Sequence, residues 1–269
     1  MNQFSGRGRP PANRLVAAEV AREVAALLWS QRDHVLRVAV APIVAAFAIN
    51  LWMEAALPET PIEVPAEGGA RPELGWMLIW LLGVFPLTLF SVNCQRLALL
   101  GPSGVAGLGL RWGFRETRYL VTAVVISLIA GFAVALPATL VSVVVLQAAQ
   151  PPGLLLALML PFYLYLVLRF SFALTAAALD QPGFIGWSWR ETRGIGVQFL
   201  FTAALIVLPL EIGVLLFSQL LAATGLYAVA PFASQFLTTL AAYLPAAAMS
   251  VTIALVYRRL QGHSLTTVV

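Results

Sequence analysis

Long apolar stretches alternate with short charged segments along most of this chain. Crossing the hydrocarbon core of a bilayer takes about 20 consecutive, mainly apolar residues. Six stretches of roughly that length or longer occur, so the pattern predicts an all-α, polytopic membrane protein. The predicted spans are 38–57, 74–95, 119–147, 153–178, 197–223 and 229–257.

The N-terminal region has a different pattern. Residues 1–12 combine Gly, Pro and Arg with little to bury, which predicts a disordered tail. Over residues 13–37 the charged residues share one helix face and the apolar residues the other. This predicts an amphipathic helix lying on the membrane surface. The remaining chain reads as one transmembrane domain, 13–260, followed by a short tail, 261–269.

Composition supports this interpretation. The chain has 269 residues, a mean hydropathy of +0.88 and only 10% charged residues, against roughly 25% in a soluble domain. Fourteen of its sixteen arginines fall in segments that the predicted spans place on one side. By the positive-inside rule, both termini are expected in the cytoplasm. Because orientation in the bilayer explains the net charge of +4, we expect no nucleic-acid partner.

A charged heptapeptide occurs twice, as WGFRETR at Trp112–Arg118 and WSWRETR at Trp187–Arg193. A weaker copy, WSQRD, occupies Trp29–Asp33, and each copy precedes an odd-numbered span. An arginine ends each even-numbered span. The sequence therefore predicts three hairpin repeats, at about 20–97, 105–170 and 180–259.

These segments predict a collar at the cytoplasmic rim. Tryptophan and the arginine three residues on share a helix face, where they can stack as a cation–π pair. One hypothesis is that the acids pair with arginines of their own or adjacent hairpins. Another is that surplus arginines bind lipid phosphates or an anionic solute, and a third is docking of a membrane-protein partner. The candidate residues are Trp29, Arg32, Asp33, Arg96, Trp112, Arg115, Glu116, Arg118, Trp187, Arg190, Glu191, Arg193 and Arg258.

The layout of an amphipathic helix, six proline-containing spans and a W-x-x-R-E-T-R segment resembles uncharacterised bacterial inner-membrane proteins. It is similar in style to the membrane domain beside some glycerophosphodiester phosphodiesterases and to YciC-type proteins. The resemblance covers most of residues 20–260 and implies a bacterial plasma-membrane location. The chain offers no cluster of acids and histidines that would hold the phosphodiesterase metals, so that chemistry does not transfer.

Signatures of catalysis are missing from the sequence. It contains no P-loop, no H-E-x-x-H and no G-x-S-x-G, and Cys94 is its only cysteine. We expect no cofactor and no metal. The leading hypothesis is a non-enzymatic inner-membrane protein acting through lipid or protein contacts as a scaffold, assembly or accessory protein. The alternatives are a small transporter or channel at the repeat interface and a membrane-embedded lipid-modifying enzyme.

Two ionisable residues, Arg169 and Glu211, fall inside predicted spans, and such residues are candidate functional groups. Counted from the outer ends of their spans, their depths differ by about 6 Å. The sequence therefore predicts an intramembrane pair, acting either as a structural clamp or in the transit of a proton or cation.

The substitution Glu211→Gln separates these two roles. A clamp predicts loss of folded, extractable protein, because an unpaired arginine would remain in the bilayer. A transport role predicts normal abundance with loss of activity. Yield in detergent extracts and a flux assay measure the two outcomes.

Overall fold

The computed structural model describes residues 16–56, 74–105, 109, 111–145, 153–181 and 183–261. This part of the chain is helical and contains no strand. The prediction of an all-α, polytopic fold is confirmed. The predicted tail 1–12, nearly all of the tail 261–269 and the loop between the first two spans lie outside the described residues.

Ten α-helices are formed, in the order that follows. They are α1 Ala17–Ser30, α2 Arg32–Ala56, α3 Leu74–Leu100, α4 Phe114–Leu140, α5 Gly153–Phe170, α6 Phe172–Ala178, α7 Ile185–Glu191, α8 Gly196–Ala223, α9 Leu226–Val229 and α10 Pro231–Leu260. A 3₁₀ turn follows α3 at Pro102–Gly104, and a π-helical turn extends α4 at Val141–Val145.

Six helical segments of the described chain are long and apolar enough to cross a membrane: α2, α3, α4, α5 with α6, α8 and α10. Each contains one internal proline. They pack mainly in consecutive pairs, α2 with α3, α4 with α5, and α8 with α10. We call these pairs hairpins 1, 2 and 3. The internal repeat itself stays a prediction from the sequence.

Helix α10 occupies the interior of the bundle. It packs against α1, α2, α3, α6 and α8, and its second half is buried. Small residues such as Ala247, Ala248, Ser250 and Ala254 line this buried part, which lets neighbouring backbones approach closely. Close packing of small residues thus holds the hairpins around a central helix.

The outer faces of α4 and α8 are apolar and exposed. Leu128, Phe132 and Leu136 on α4 are each more than half exposed, as are Leu208 and Ile212 on α8. In water such faces would be unstable, whereas lipid tails solvate them without cost. These faces fit direct contact with the hydrocarbon core.

Helix α1 is amphipathic as expected, but its position differs from the prediction. Its apolar face packs against α8 and α10, where Val20 and Val24 are 0% and 2% exposed. Burial of each valine stabilises the contact by about 1.5–3 kcal/mol. A turn at Gln31 ends the helix, so residues 32–37 belong to α2. The expected surface helix therefore uses its apolar face for protein packing, because α8 and α10 leave an apolar groove at this end.

Substituting Val24→Asp should release α1 from the bundle, because a carboxylate cannot be buried against α8 and α10 without a partner. Trypsin should then cleave at Arg22 and Arg32 much faster than in the native protein in detergent. The exposed neighbour supplies the control, since Ala25→Asp should leave cleavage unchanged. Equal cleavage of both variants would contradict this packing.

Candidate functional site

The three arginines that end the hairpins lie at one end of the bundle with the heptapeptide segments. We call this the arginine-rich end. We call the three preceding segments, Trp29–Asp33, Trp112–Arg118 and Trp187–Arg193, the lead-in segments. Two of the hairpin-ending arginines, Arg96 and Arg169, are largely buried, and the third, Arg258, is partly exposed.

Arg169 is buried, with 7% of its surface exposed, and binds the third lead-in segment. Its Nη2 donates to the carbonyl oxygen of Trp189, and its Nε donates to Thr192 Oγ1 at 3.1 Å. The guanidinium carbon also lies 3.6 Å from the centroid of the Trp189 ring. A third donor, Nη1, reaches the hydroxyl of Tyr165 at 3.2 Å. The charge is thus satisfied by carbonyl, hydroxyl and π groups rather than by a carboxylate.

The same lead-in segment binds the backbone of Arg169. Helix α5 ends at Phe170, and its break from α6 leaves the carbonyl of Arg169 free for an outside donor. Ser188 Oγ donates to this oxygen at 2.7 Å, and Thr192 Oγ1 lies 3.2 Å from it. Side chain and carbonyl of one residue are therefore both fixed by α7 and the turn that follows it.

Arg96 ends hairpin 1 and also binds backbone. Its Nε donates to the carbonyl of Gly104 at 2.7 Å, and its Nη1 donates to the carbonyl of Ala178 at 2.9 Å. Asp180 Oδ2 lies 3.9 Å from Nη1 and accepts at 2.8 Å from Nε of Arg115, at the start of α4. Two arginines of different hairpins thus share one carboxylate.

Arg258 ends hairpin 3 and binds α1. Its Nη2 donates to Glu23 Oε1, and the neighbouring Arg259 donates to Glu23 Oε2 at 2.9 Å. Arg259 also reaches Glu19 at 3.5 Å. These groups are 29–56% exposed, so the pairs are solvent-screened and each contributes about 1 kcal/mol or less.

One arrangement recurs at the three hairpin ends. Arg96 binds the turn that leads toward α4, Arg169 binds the lead-in segment of α8, and Arg258 binds α1, which leads into α2. Each arginine thus joins its hairpin to the segment before another, and the last contact returns to the beginning of the chain. The set closes into a ring of contacts around the arginine-rich end.

The predicted pairing of the lead-in acids is not observed. Asp33 lies only beside its neighbour Arg32, at 3.8 Å, with both side chains exposed. Glu116 is buried because its Oε2 accepts from the Gly113 N–H at 2.8 Å and so caps α4. Glu191 forms no ion pair within the described residues. None of the three reaches a hairpin-ending arginine, since those arginines use backbone carbonyls and the acids Asp180 and Glu23.

The tryptophans also have separate roles. Trp29 stacks with Arg32 at 4.9 Å, as the spacing predicts. Trp112 instead donates from Nε1 to Thr117 Oγ1 at 3.0 Å, and its ring lies 5.1 Å from Phe85. Trp187 packs in the core, 6.1 Å from the ring of Tyr257. The predicted stacking is therefore confirmed for the first lead-in segment, while the other two pack their tryptophans on apolar neighbours.

Several arginines at this end form no ion pair in the part of the chain that the structure describes. All but Arg118, which is half-buried, are exposed. They are Arg22, Arg37, Arg111, Arg118, Arg190 and Arg193. This end therefore carries surplus positive charge.

The structure does not bring Arg169 and Glu211 together. Arg169 packs at the start of α8, where a Cβ on Gly196 would lie 3.1 Å from its Cδ. Glu211 follows fifteen residues later, about 22 Å along the helix, and its side chain is exposed. Depths counted from the outer span ends were misleading, because α5 and α8 do not begin and end at the same level. The predicted intramembrane pair is not formed.

The sequence gave some signal for the residues it missed. Thr192 and Thr117 occupy the same position in both RETR copies, and both bind the backbone of the preceding turn. Their recurrence was visible in the motif. Asp180 and Glu23 lie outside the repeated motif, and only the packing of α6 and α1 identifies their partners.

No protein-family model, curated protein or solved structure matches the chain. The resemblance to the six-span bacterial proteins stays a prediction from the sequence pattern.

Substituting Arg169→Lys should destabilise the protein, because an ammonium group on a shorter chain cannot replace the forked donors and the ring stacking. We expect a loss of about 2–4 kcal/mol, the range for breaking a buried charged network. Thermal unfolding in detergent, followed by tryptophan fluorescence, measures the change. Glu211→Leu is the matched comparison and should not lower the melting temperature, since it removes an exposed intramembrane carboxyl. A melting temperature unchanged in the lysine variant would contradict the assignment.

Proposed function

We propose that this chain is a non-enzymatic, multi-pass protein of the bacterial inner membrane. Both termini lie in the cytoplasm, and the arginine-rich end faces the cytoplasmic leaflet. There it acts as a scaffold, assembly or accessory protein through contacts with anionic lipid headgroups and with membrane proteins. The observation that carries this proposal is the set of arginines at that end that no carboxylate neutralises.

The charge balance of this end supports attraction to anionic lipid. Arg22, Arg37, Arg190 and Arg193 are exposed and form no ion pair within the described residues. Each basic side chain near an anionic membrane surface contributes about 1 kcal/mol of attraction. A surface with several such side chains therefore selects anionic over zwitterionic lipids.

Exposed aromatic residues at the same end support a position at the headgroup level. Trp29, Phe114 and Phe184 are 73–84% exposed, and each lies in or directly beside a lead-in segment. Such rings are costly in water, and amphipathic aromatic groups favour the membrane interface. Together with the arginines they give a surface that prefers the headgroup region.

The transport alternative loses its main support. It depended on an Arg169–Glu211 pair at the interface of the repeats, and this pair is not formed. Helix α10 also fills the interior of the bundle with small and apolar side chains. A scaffold that presents charge at one end uses the observed features more directly.

Anionic lipid retained by the purified protein tests this proposal. We expect mass spectrometry after mild-detergent extraction to show anionic lipids enriched over their fraction in the source membrane. Replacing Arg22, Arg37, Arg190 and Arg193 together by Gln should reduce this enrichment several-fold, because the surface attraction is lost.

The matched control replaces the same four arginines by Lys, which keeps the charge and should keep the enrichment. Enrichment that is unchanged in the Gln variant would contradict the lipid-contact proposal. Proteins identified in the same extracts test the second kind of contact, since a stoichiometric membrane-protein partner is expected if the chain acts as a scaffold.

A further inference from the structure

A cavity of about 510 Å³ lies at the arginine-rich end, between the ends of α3 and α4. Its volume is within the range of small-molecule binding sites. The segment after α3 folds back to form one wall, since Asn93 Nδ2 donates to the carbonyl of Gly109 at 3.1 Å. Gly109 has a φ of +68°, and a Cβ there would lie 2.7 Å from Asn93 Nδ2, so only glycine fits. The wall is therefore a specific structure.

Positive charge exceeds negative charge in this cavity. Arg96, Arg111 and Arg115 line it together with Glu116 and Asp180. Asp180 and Glu116 are already engaged, by Arg115 and by the Gly113 N–H respectively. Arg111 is exposed and forms no ion pair in the described chain. One guanidinium charge thus has no counter-charge in the site.

Further hydrogen-bond donors are directed to the same space. Arg96 uses Nε and Nη1 for backbone carbonyls, and its Nη2 has no acceptor among the described residues. The first turn of α4, at Gly113, Phe114 and Arg115, also lines the cavity. N–H groups in the first turn of a helix have no acceptor within the helix, and the dipole of this 27-residue helix favours an anion there.

We propose that this cavity binds a singly charged phosphodiester group. One unbalanced positive charge matches a monoanion, whereas a dianion would add repulsion from Glu116 and Asp180. Donors on two chain segments, Arg96 and Arg111, and the helix N-terminus suit the several oxygens of a phosphate better than a planar carboxylate. This assigns a discrete binding site, which goes beyond the surface attraction proposed above.

The chemistry is shared by a phospholipid headgroup and by a soluble phosphodiester. The exposed ring of Phe114 at the cavity provides an apolar contact that an acyl chain or glycerol backbone can use. Phosphatidylglycerol and its water-soluble deacylated headgroup therefore serve as the two probes. Binding of the lipid alone identifies a membrane ligand, and equal binding of both identifies a soluble one.

Native mass spectrometry of the full chain in detergent tests the site. We expect one molecule of phosphatidylglycerol to be retained more tightly than the rest, with phosphatidylcholine failing to replace it. Arg111→Gln should weaken this first binding step about tenfold to a hundredfold, because a charged hydrogen bond to phosphate is lost. Arg111 forms no bond to the rest of the described protein, so the variant should fold normally, which its melting temperature verifies.

The matched control is Arg193→Gln, which removes an exposed, unpaired arginine that does not line the cavity. It should leave the first binding step unchanged. Equal effects of Arg111→Gln and Arg193→Gln would overturn the proposal, as would the lack of a tight first step for either probe. Neither result bears on the lipid-enrichment test above, since Arg111 is not among the four residues changed there.

Discussion

The guanidinium group of Arg169 is buried, and each of its donors needs an acceptor because an unsatisfied buried charge costs several kcal/mol. Those acceptors come from Trp189 and Thr192, which belong to the segment before the third hairpin. The position of that segment, and with it the start of α8, therefore depends on Arg169. Arg96 acts in the same way between α3, the following turn and α6.

The use of carbonyl acceptors explains why so few acids are needed. A backbone carbonyl at a helix break is already without a donor, so an arginine that binds it satisfies two groups at once. The arginine-rich end can therefore be ordered while much of its positive charge remains unneutralised. The two features are linked, since the arginines that hold the hairpins leave other arginines available at the membrane surface.

The interior of the bundle follows a different rule. Lipid gives no hydrophobic driving force between helices, so α10 packs through small residues and a few hydrogen bonds. One such bond joins Tyr243 on α10 to the carbonyl of Pro42 on α2. Another joins Tyr257 to Gln181, between α6 and α7. The outer faces keep large apolar side chains, which suit lipid.

Much of the fold could be predicted from the sequence, because the length of an apolar stretch is a local property that the bilayer thickness selects. The six spans, the helix before the first span and the position of the lead-in segments were all available in this way. The Thr shared by both RETR copies was also visible, although its role was not recognised. The surface position of α1 was predicted wrongly, because amphipathicity alone does not distinguish lipid from a protein groove.

Only the tertiary structure decided which charged groups meet. Asp180 and Glu23 became partners of arginines through the packing of α6 and α1, which no spacing in the sequence reveals. Arg169 and Glu211 are separated because helix register fixes their levels to about 22 Å apart along α8. Local chemistry thus determined the elements and the side on which charge accumulates. The partners of individual charges depended on register and packing between segments distant in the chain.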